Sequence, residues 1–147
     1  MRHTGMEQIN IVIDTNVVLT AMRSKQGAAH LLLSRIGDRR WRMNVSTALI
    51  LEYEGALKKE LRRQGRPLSV ADDVLDVLVA QSDWREIFFR WRPFLSDPKD
   101  DFVLELGVAS GAMFIVTYNL RDFVGSEAFG IVAVRPMDFL RLLERVR

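Results

Sequence analysis

Six acidic or amide side chains of this chain follow apolar segments or lie near the start of a helix, the positions at which an α/β protein places its ligands. They are Asp14, Glu52, Asp100, Asp101, Asn119 and Asp122. In a parallel sheet, the carboxyl ends of the strands and the starts of the following helices share one edge, so we expect these side chains to lie close together. Gathered carboxylates raise one another's pKa values unless a cation neutralises them. Because Mg²⁺ takes a few carboxylates and keeps several waters for a substrate, the pattern predicts a Mg²⁺ or Mn²⁺ site at this edge.

Each of these residues also has a purely structural interpretation. Asp14 is well suited to cap a helix that starts near Val17, because its carboxylate can accept a hydrogen bond from a backbone N–H. Glu52 lies at the border of the inner face of its helix and can reach water as a rim residue. The helix dipole favours acids in a first turn, which suffices for one or two of three neighbours, Asp97, Asp100 and Asp101. The joint pattern supports the metal site better than any single residue does.

The composition is that of an ordinary globular protein without cysteine. The chain has 147 residues, a formal net charge of +2 and a pI of about 9.3. The lack of cysteine excludes a disulfide scaffold and a Cys-ligated zinc site, and two histidines, His3 and His30, are too few for a His-rich metal site. Any metal must therefore be held by oxygen ligands. The mildly basic charge is compatible with nucleic acid, and the absence of a signal peptide or a membrane-length apolar run predicts a cytoplasmic protein without membrane contact.

Apolar periodicity predicts alternating strands and helices in a single domain over 1–147, with 1–8 as a flexible tail. The predicted strands are 9–13, 41–45, 86–91, 112–117 and 131–134. The predicted helices are 17–22, 28–36, 46–63, one that opens with a capping box at 69–72 and ends before Trp84, a mostly buried one that opens at 96–101, and 137–146. Strands that alternate with helices are typical of an α/β fold with a central, mostly parallel sheet.

Five ordered blocks of the sequence resemble the PIN domains, and within that family the VapC-like toxin nucleases. The first is Ile11-Val12-Ile13-Asp14-Thr15-Asn16, and the second is Ser46 followed six residues later by Glu52. The others are Asp97-Pro98-Lys99-Asp100-Asp101, Ile115-Val116-Thr117-Tyr118-Asn119-Leu120-Arg121-Asp122-Phe123 and Val134-Arg135-Pro136-Met137-Asp138-Phe139-Leu140. Asp-Thr-Asn alone is a weak signal, whereas five blocks in the right order span nearly the whole chain.

The resemblance implies a three-layer α/β/α sandwich that acts as a metal-dependent endoribonuclease. The family's metal-binding acids are matched by Asp14, Glu52 and Asp100. Asp100 is preferred over Asp101 because Gly107 then occupies the small position one helical face further on, and Asp101 remains the alternative. The positions that orient these acids by hydrogen bonding are matched by Asn16 and Thr117. A carboxylate-bound Mg²⁺ or Mn²⁺ lowers the pKa of an attacking water and polarises the phosphoryl oxygen.

The sequence departs from the family pattern at the fourth acid. Many relatives carry Asp two residues after the threonine, where this chain has Asn119, and Asp122 follows three residues later. We expect Asp122 to act as an outer ligand or to position a water. A second metal should be held weakly, or only once a substrate phosphate contributes ligands. The same departure keeps open an alternative, a PIN-like module that binds RNA or protein without catalysis.

The toxin resemblance also implies an RNA substrate, a cognate antitoxin protein and a homodimer. Basic side chains that could follow an RNA backbone are Arg39, Arg40, Arg42, Lys58, Lys59, Arg62, Arg63 and Arg66. Most of these are also explained as ordinary solvated charge.

Two other enzyme classes place acids at strand ends, and both fit the sequence less well. A haloacid-dehalogenase-like phosphatase needs a second Asp two residues after its nucleophile, where this chain has Asn16. A response-regulator receiver needs an acidic pair near the first strand and a late Lys, where this chain has Thr117-Tyr118-Asn119.

Overall fold

The computed structural model describes residues 8–87 and 98–146. In the second of these ranges, side chains are described from Asp100 onward. The strands are β1 (Ile9–Ile13), β2 (Trp41–Val45), β3 (Ser82–Trp84), β4 (Phe114–Val116) and β5 (Val132–Val134). The helices are α1 (Thr15–Arg23), α2 (Ala28–Ser34), α3 (Thr47–Gln64), α4 (Ser69–Ala80), α5 (Pro98–Ser110) and α6 (Pro136–Leu143). Two 3₁₀ turns, Leu120–Phe123 and Ser126–Phe129, lie between β4 and β5.

The five strands form one parallel sheet in the order β3-β2-β1-β4-β5. The central strand β1 pairs with β2 on one side and β4 on the other, and Ile11, Val12 and Ile13 are 0% exposed. Successive strand residues point to opposite faces, so a run buried at every position means that helices cover both faces. The predicted α/β/α sandwich is confirmed. Strand order also reverses at β1, which places a topological switch point between β1 and β4.

The third strand was predicted at 86–91, whereas the third strand of the structure is Ser82–Trp84, and residues 86–87 lie in no strand. The strand is β3, which pairs with β2 directly after α4 ends, while 88–91 lies outside the described residues. Asp83 in β3 forms an ion pair with Arg42 of β2 at 2.5 Å, and Trp84 is 49% exposed. Because β3 is a short, half-exposed edge strand held partly by charge, it lacks the apolar run by which a strand is recognised in sequence.

The ends of the long helix α3 follow their sequence signals, whereas the start of α4 does not. The Ser46 hydroxyl caps α3 by accepting a hydrogen bond from the N–H of Leu49 at 3.3 Å. Gly65 ends α3 in the left-handed conformation, with φ +67°. In α4, Ser69 is the first helical residue and the cap is Leu68, which makes no side-chain hydrogen bond. The predicted capping box is therefore wrong, because the serine lies one position too late to cap.

Helix α5 is buried on most sides, as predicted from its apolar sequence. Val103, Leu104 and Leu106 are at most 1% exposed. A Cβ added at Gly107 would lie 2.9 Å from Cδ1 of Ile131, so the missing side chain lets α5 approach the chain that leads into β5. No helix in the described part of the chain is both long and apolar enough to cross a membrane.

A buried carboxylate ties the end of α1 to the end of α3. Glu60 is 3% exposed, and its oxygens accept hydrogen bonds from Arg63, from Arg23 and, at 2.7 Å, from Gln64. These donors, Arg63 above all, lower the pKa of Glu60 from its ordinary value of 4.5 to about 2. The cluster matters for the site because α1 starts directly after Asp14.

The substitution Glu60→Gln should flatten the dependence of stability on pH below neutrality. Unfolded Glu60 takes up a proton near pH 4.5 and folded Glu60 only near pH 2, so its stabilising contribution is present above pH 4.5 and is lost as pH falls toward 2. Urea unfolding at pH 7 and pH 3 measures the change. We expect wild type to lose more stability between these pH values than Glu60→Gln does.

A matched control is Glu54→Gln on the same helix, which removes an ion pair with Lys58 in which both side chains are about one third exposed. Its effect should be smaller, because exposed ion pairs contribute little to stability. Equal pH dependence of wild type and Glu60→Gln would contradict the role given to this cluster.

Candidate active site

Asp14 lies at the switch point, directly after β1. Its N–H donates to the carbonyl of Val116 in β4 at 2.9 Å, and its side chain is nearly buried at 6% exposure. Its Oδ1 accepts a hydrogen bond from the N–H of Thr15 at 2.9 Å, so Asp14 is also the N-cap of α1. The structural interpretation of Asp14 therefore holds, and it leaves Oδ2 for other contacts.

A hydrogen-bond network across β1 and β4 fixes the Asp14 carboxylate. Oδ2 of Asp14 accepts from the Thr117 hydroxyl at 2.8 Å and from the Asn16 amide at 3.1 Å. The Thr117 Oγ1 in turn accepts from the Asn16 amide at 3.2 Å and from the N–H of Asn119 at 3.0 Å. The N–H of Tyr118 donates to Oδ1 of Asn16 at 3.1 Å, which defines the orientation of that amide. Asn16 and Thr117 thus hold Asp14 in one position.

Burial and a second acid make the negative charge of Asp14 unfavourable. Burial is the largest cause that raises its pKa, and the negative charge of Asp122 raises the pKa further, against the hydrogen bonds from Thr117, Thr15 and Asn16 that lower it. Asp122 is half-buried in the first 3₁₀ turn, and its N–H donates to the carbonyl of Asn119 at 3.0 Å. A cation at this position would relieve both carboxylates.

Helix α3 brings Glu52 to the same edge of the sheet. Glu52 is half-buried, and its neighbour Tyr53 is 0% exposed. The Tyr53 hydroxyl donates a hydrogen bond to the carbonyl of Ile13, the residue before Asp14. Burial, and then the charges of Asp14 and Glu52, raise the pKa of Tyr53 well above its ordinary value. The sequence did not reveal this contact, because no local signal shows which group the Tyr53 hydroxyl reaches.

The first turn of α5 carries Asp100 and Asp101 at this edge. The N–H of Met113, just after α5, bonds to the carbonyl of Asn10 near the start of β1, so the helix begins at the opposite, carboxyl end of the strands. Asp100 is half-buried, whereas Asp101 is 1% exposed. Of the two acids, Asp100 therefore keeps more contact with solvent. Asp97 lies outside the described residues.

One buried acid in α5 was missed by the sequence reasoning. Glu105 is 1% exposed and follows Asp101 by one helical turn. The spacing of four residues between two acids in an otherwise apolar helix was the available signal, since it places both side chains on one face.

A family model that describes the PIN domain matches residues 10–121 of the chain, which is more than two thirds of its length. This chain belongs to the PIN domain family. PIN domains are generally nucleases, and they typically bind divalent metal ions. The comparison with curated proteins found no match.

The range matched by the PIN domain model contains three of the four acids that were predicted to be catalytic. Residues 10–121 include Asp14, Glu52 and Asp100, whereas Asp122 lies just beyond the matched range. Within residues 8–87 and 100–146, no three acidic or histidine side chains are grouped closely enough to hold a metal ion. The donor atoms present are carboxylate and amide oxygens, which are the ligands that a hard divalent cation prefers. The pKa of Asp14 is raised, so a nearby positive charge would stabilise its ionised form.

The substitution Thr117→Val should destabilise the PIN domain by about 1–3 kcal/mol, because it removes a donor to Asp14, one of the two acceptors of the Asn16 amide and the acceptor of the Asn119 N–H. Urea unfolding measures the loss. Thr117→Ser keeps the hydroxyl and should retain most of the stability. Equal stability of Thr117→Val and wild type would show that the network contributes nothing to folding.

The substitution Asp14→Asn should stabilise the metal-free protein at neutral pH. A raised pKa in the folded state means that ionised Asp14 opposes folding, and this penalty disappears as pH falls through the folded pKa. Thermal unfolding in EDTA should therefore show a gain for Asp14→Asn at pH 7 that shrinks at pH 4. Asp122→Asn should give a smaller gain, because it removes only the neighbouring negative charge that raises the pKa of Asp14, which is a smaller cause than burial. A loss of stability for Asp14→Asn at both pH values would contradict the assignment.

Proposed function

We propose that this PIN domain is a Mg²⁺- or Mn²⁺-dependent endoribonuclease and the toxin of a toxin–antitoxin pair. The observation that carries the proposal is the buried Asp14 carboxylate at the switch point, which is oriented by Thr117 and Asn16 and faces the charge of Asp122. A protein retains a charge at such a cost mainly where the charge has a task.

In this proposal each residue has one role. Asp14, Glu52 and Asp100 would hold the metal, directly or through water; water is needed for at least some of these contacts, because no three acids of the described residues are grouped closely enough to share an ion. Asp122 would act as an outer ligand or position the attacking water. When bound, the ion lowers the pKa of water and stabilises negative charge on the scissile phosphate. Thr117 and Asn16 would fix the orientation of the Asp14 carboxylate through their hydrogen bonds to Oδ2, and Asp101 would support the start of α5. Asn119, whose side chain is exposed at the rim, donates a hydrogen bond to a phosphate oxygen.

The charges of the described residues suggest which cations contact RNA. Four of the eight basic candidates already form ion pairs with acids of the chain, namely Arg40, Arg42, Lys58 and Arg63. The other four are exposed and form no ion pair within the described residues; they are Arg39, Lys59, Arg62 and Arg66. Unpaired cations gain most from a phosphate backbone, so we assign RNA contact to this second group.

The toxin role rests on the five blocks that resemble VapC-like nucleases. It includes a cognate antitoxin protein that blocks the site, a homodimer and a cytoplasmic location. A second candidate function is a PIN-like module that binds RNA or protein without catalysis. The observation in its favour is that Asn119 stands where many relatives have an acid.

Cleavage of end-labelled RNA by the purified protein tests the nuclease. We expect cleavage with Mn²⁺, none with EDTA, and a loss of more than about 100-fold in Asp14→Asn, since even residues that only support metal ligands contribute about 10- to 100-fold. The matched control is Asp72→Asn, an exposed acid on α4, which should cleave as wild type does. Cleavage that survives Asp14→Asn would place the chemistry elsewhere.

Thermal unfolding with Mn²⁺ separates the enzyme from the binding module. Saturating metal should stabilise wild type by about 2.7 kcal/mol at a concentration of about 100 times Kd, and it should not stabilise Asp14→Asn. A protein that neither cleaves RNA nor gains stability from metal would support the binding module.

A further inference from the structure

A pocket of about 310 Å³ opens between α1, α2 and α4, and none of the predicted site acids lines it. Its walls are apolar and come from both sides, from Val18 and Ala21 of α1 and from Val70 and Val74 of α4. The volume lies at the lower end of the range for small-molecule pockets, about 300–1,000 Å³. An apolar pocket of this size in contact with solvent can take up a ligand with a hydrocarbon or aromatic body.

The charged lining of the pocket is basic. Lys25, His30 and Arg66 line it, and none of the described lining residues is acidic. Lys25 and Arg66 are exposed, and neither forms an ion pair within residues 8–87 and 100–146. Two cations and an imidazole beside an apolar cavity complement a ligand with a negative head.

We infer that this pocket binds a small amphiphilic anion, a molecule with a compact apolar body and a carboxylate or similar head. The apolar body lies between α1 and α4, and the head contacts Lys25, Arg66 and the His30 ring. The inference is independent of nuclease chemistry, because none of the predicted metal-binding acids lines the pocket and binding is predicted whether or not RNA is cleaved. Arg66 is also assigned to RNA contact. An apolar molecule without charge would leave the three basic groups unused, and a highly charged one would leave the apolar walls uncovered.

Isothermal titration calorimetry of the full chain with decanoate tests the inference, with 1-decanol as the uncharged probe of the same length. We expect saturable one-to-one binding of decanoate and weaker binding of decanol. The variant Val70→Trp should abolish decanoate binding, because the larger side chain fills the cavity. The matched control is Val77→Trp. Val77 lies on the same helix, does not line the pocket and is 55% exposed, so this variant should bind decanoate as wild type does.

A second variant keeps the cavity open and changes only its charge. Lys25→Gln together with Arg66→Gln should weaken decanoate binding roughly 3- to 10-fold and leave decanol binding unchanged, as expected for partly exposed ion pairs. Both residues are exposed, so the fold should tolerate the change. Absence of saturable decanoate binding by wild type, or equal binding by wild type and Val70→Trp, would overturn the inference. Binding of an acidic amphipathic peptide without any binding of decanoate would also overturn it, in favour of a protein partner.

Discussion

The parallel pairing of β1 with both β2 and β4 is the constraint on which the rest of the structure depends. It buries β1 at every position from Ile11 to Ile13, so the end of this strand cannot shift without disturbing the sheet. Asp14 follows immediately and bonds through its N–H to β4. The side chain that the site needs most is therefore positioned by the most rigid strand of the fold, and the reversal of strand order at β1 opens the crevice beside it.

The contacts around Asp14 connect three segments that are distant in sequence. Thr117 comes from the end of β4, Asn16 from the first turn of α1, and Tyr53 reaches the Ile13 carbonyl from α3. At the far end of α1, Glu60 holds Arg23 and so fixes the same helix against α3. Both ends of α1 are thus tied to α3 or to the sheet. Such double attachment keeps a buried carboxylate in place although its charge disfavours burial.

The basic side chains of the described residues fall into two groups, those that form an ion pair with an acid of the chain and those that do not. Arg42 and Arg63 are held by Asp83 and Glu60, so they stabilise β3 and the end of α3. Within the described residues, Arg66 and Lys25 form no ion pair with an acid, and they lie beside an apolar cavity, where the head of the ligand that we propose would supply a partner. An ion pair within the chain makes a basic side chain less available to a ligand, which a count of basic residues does not reveal.

The sequence by itself determined the α/β class, the central strand that ends in Asp14, both ends of α3 and the burial of α5, because each of these is written in local periodicity, capping residues or a run of apolar residues. The order of the acids along the chain also predicted that several of them lie at one edge of the sheet. Only the tertiary structure decided the position of β3, because an edge strand held by an ion pair has no apolar pattern. It alone showed the hydroxyl of Tyr53 at the Ile13 carbonyl, the influence of Asp122 on Asp14, and the burial of Glu105. These are contacts between residues far apart in sequence, or depend on what covers a side chain, and they follow from how the helices pack on the sheet rather than from any local signal.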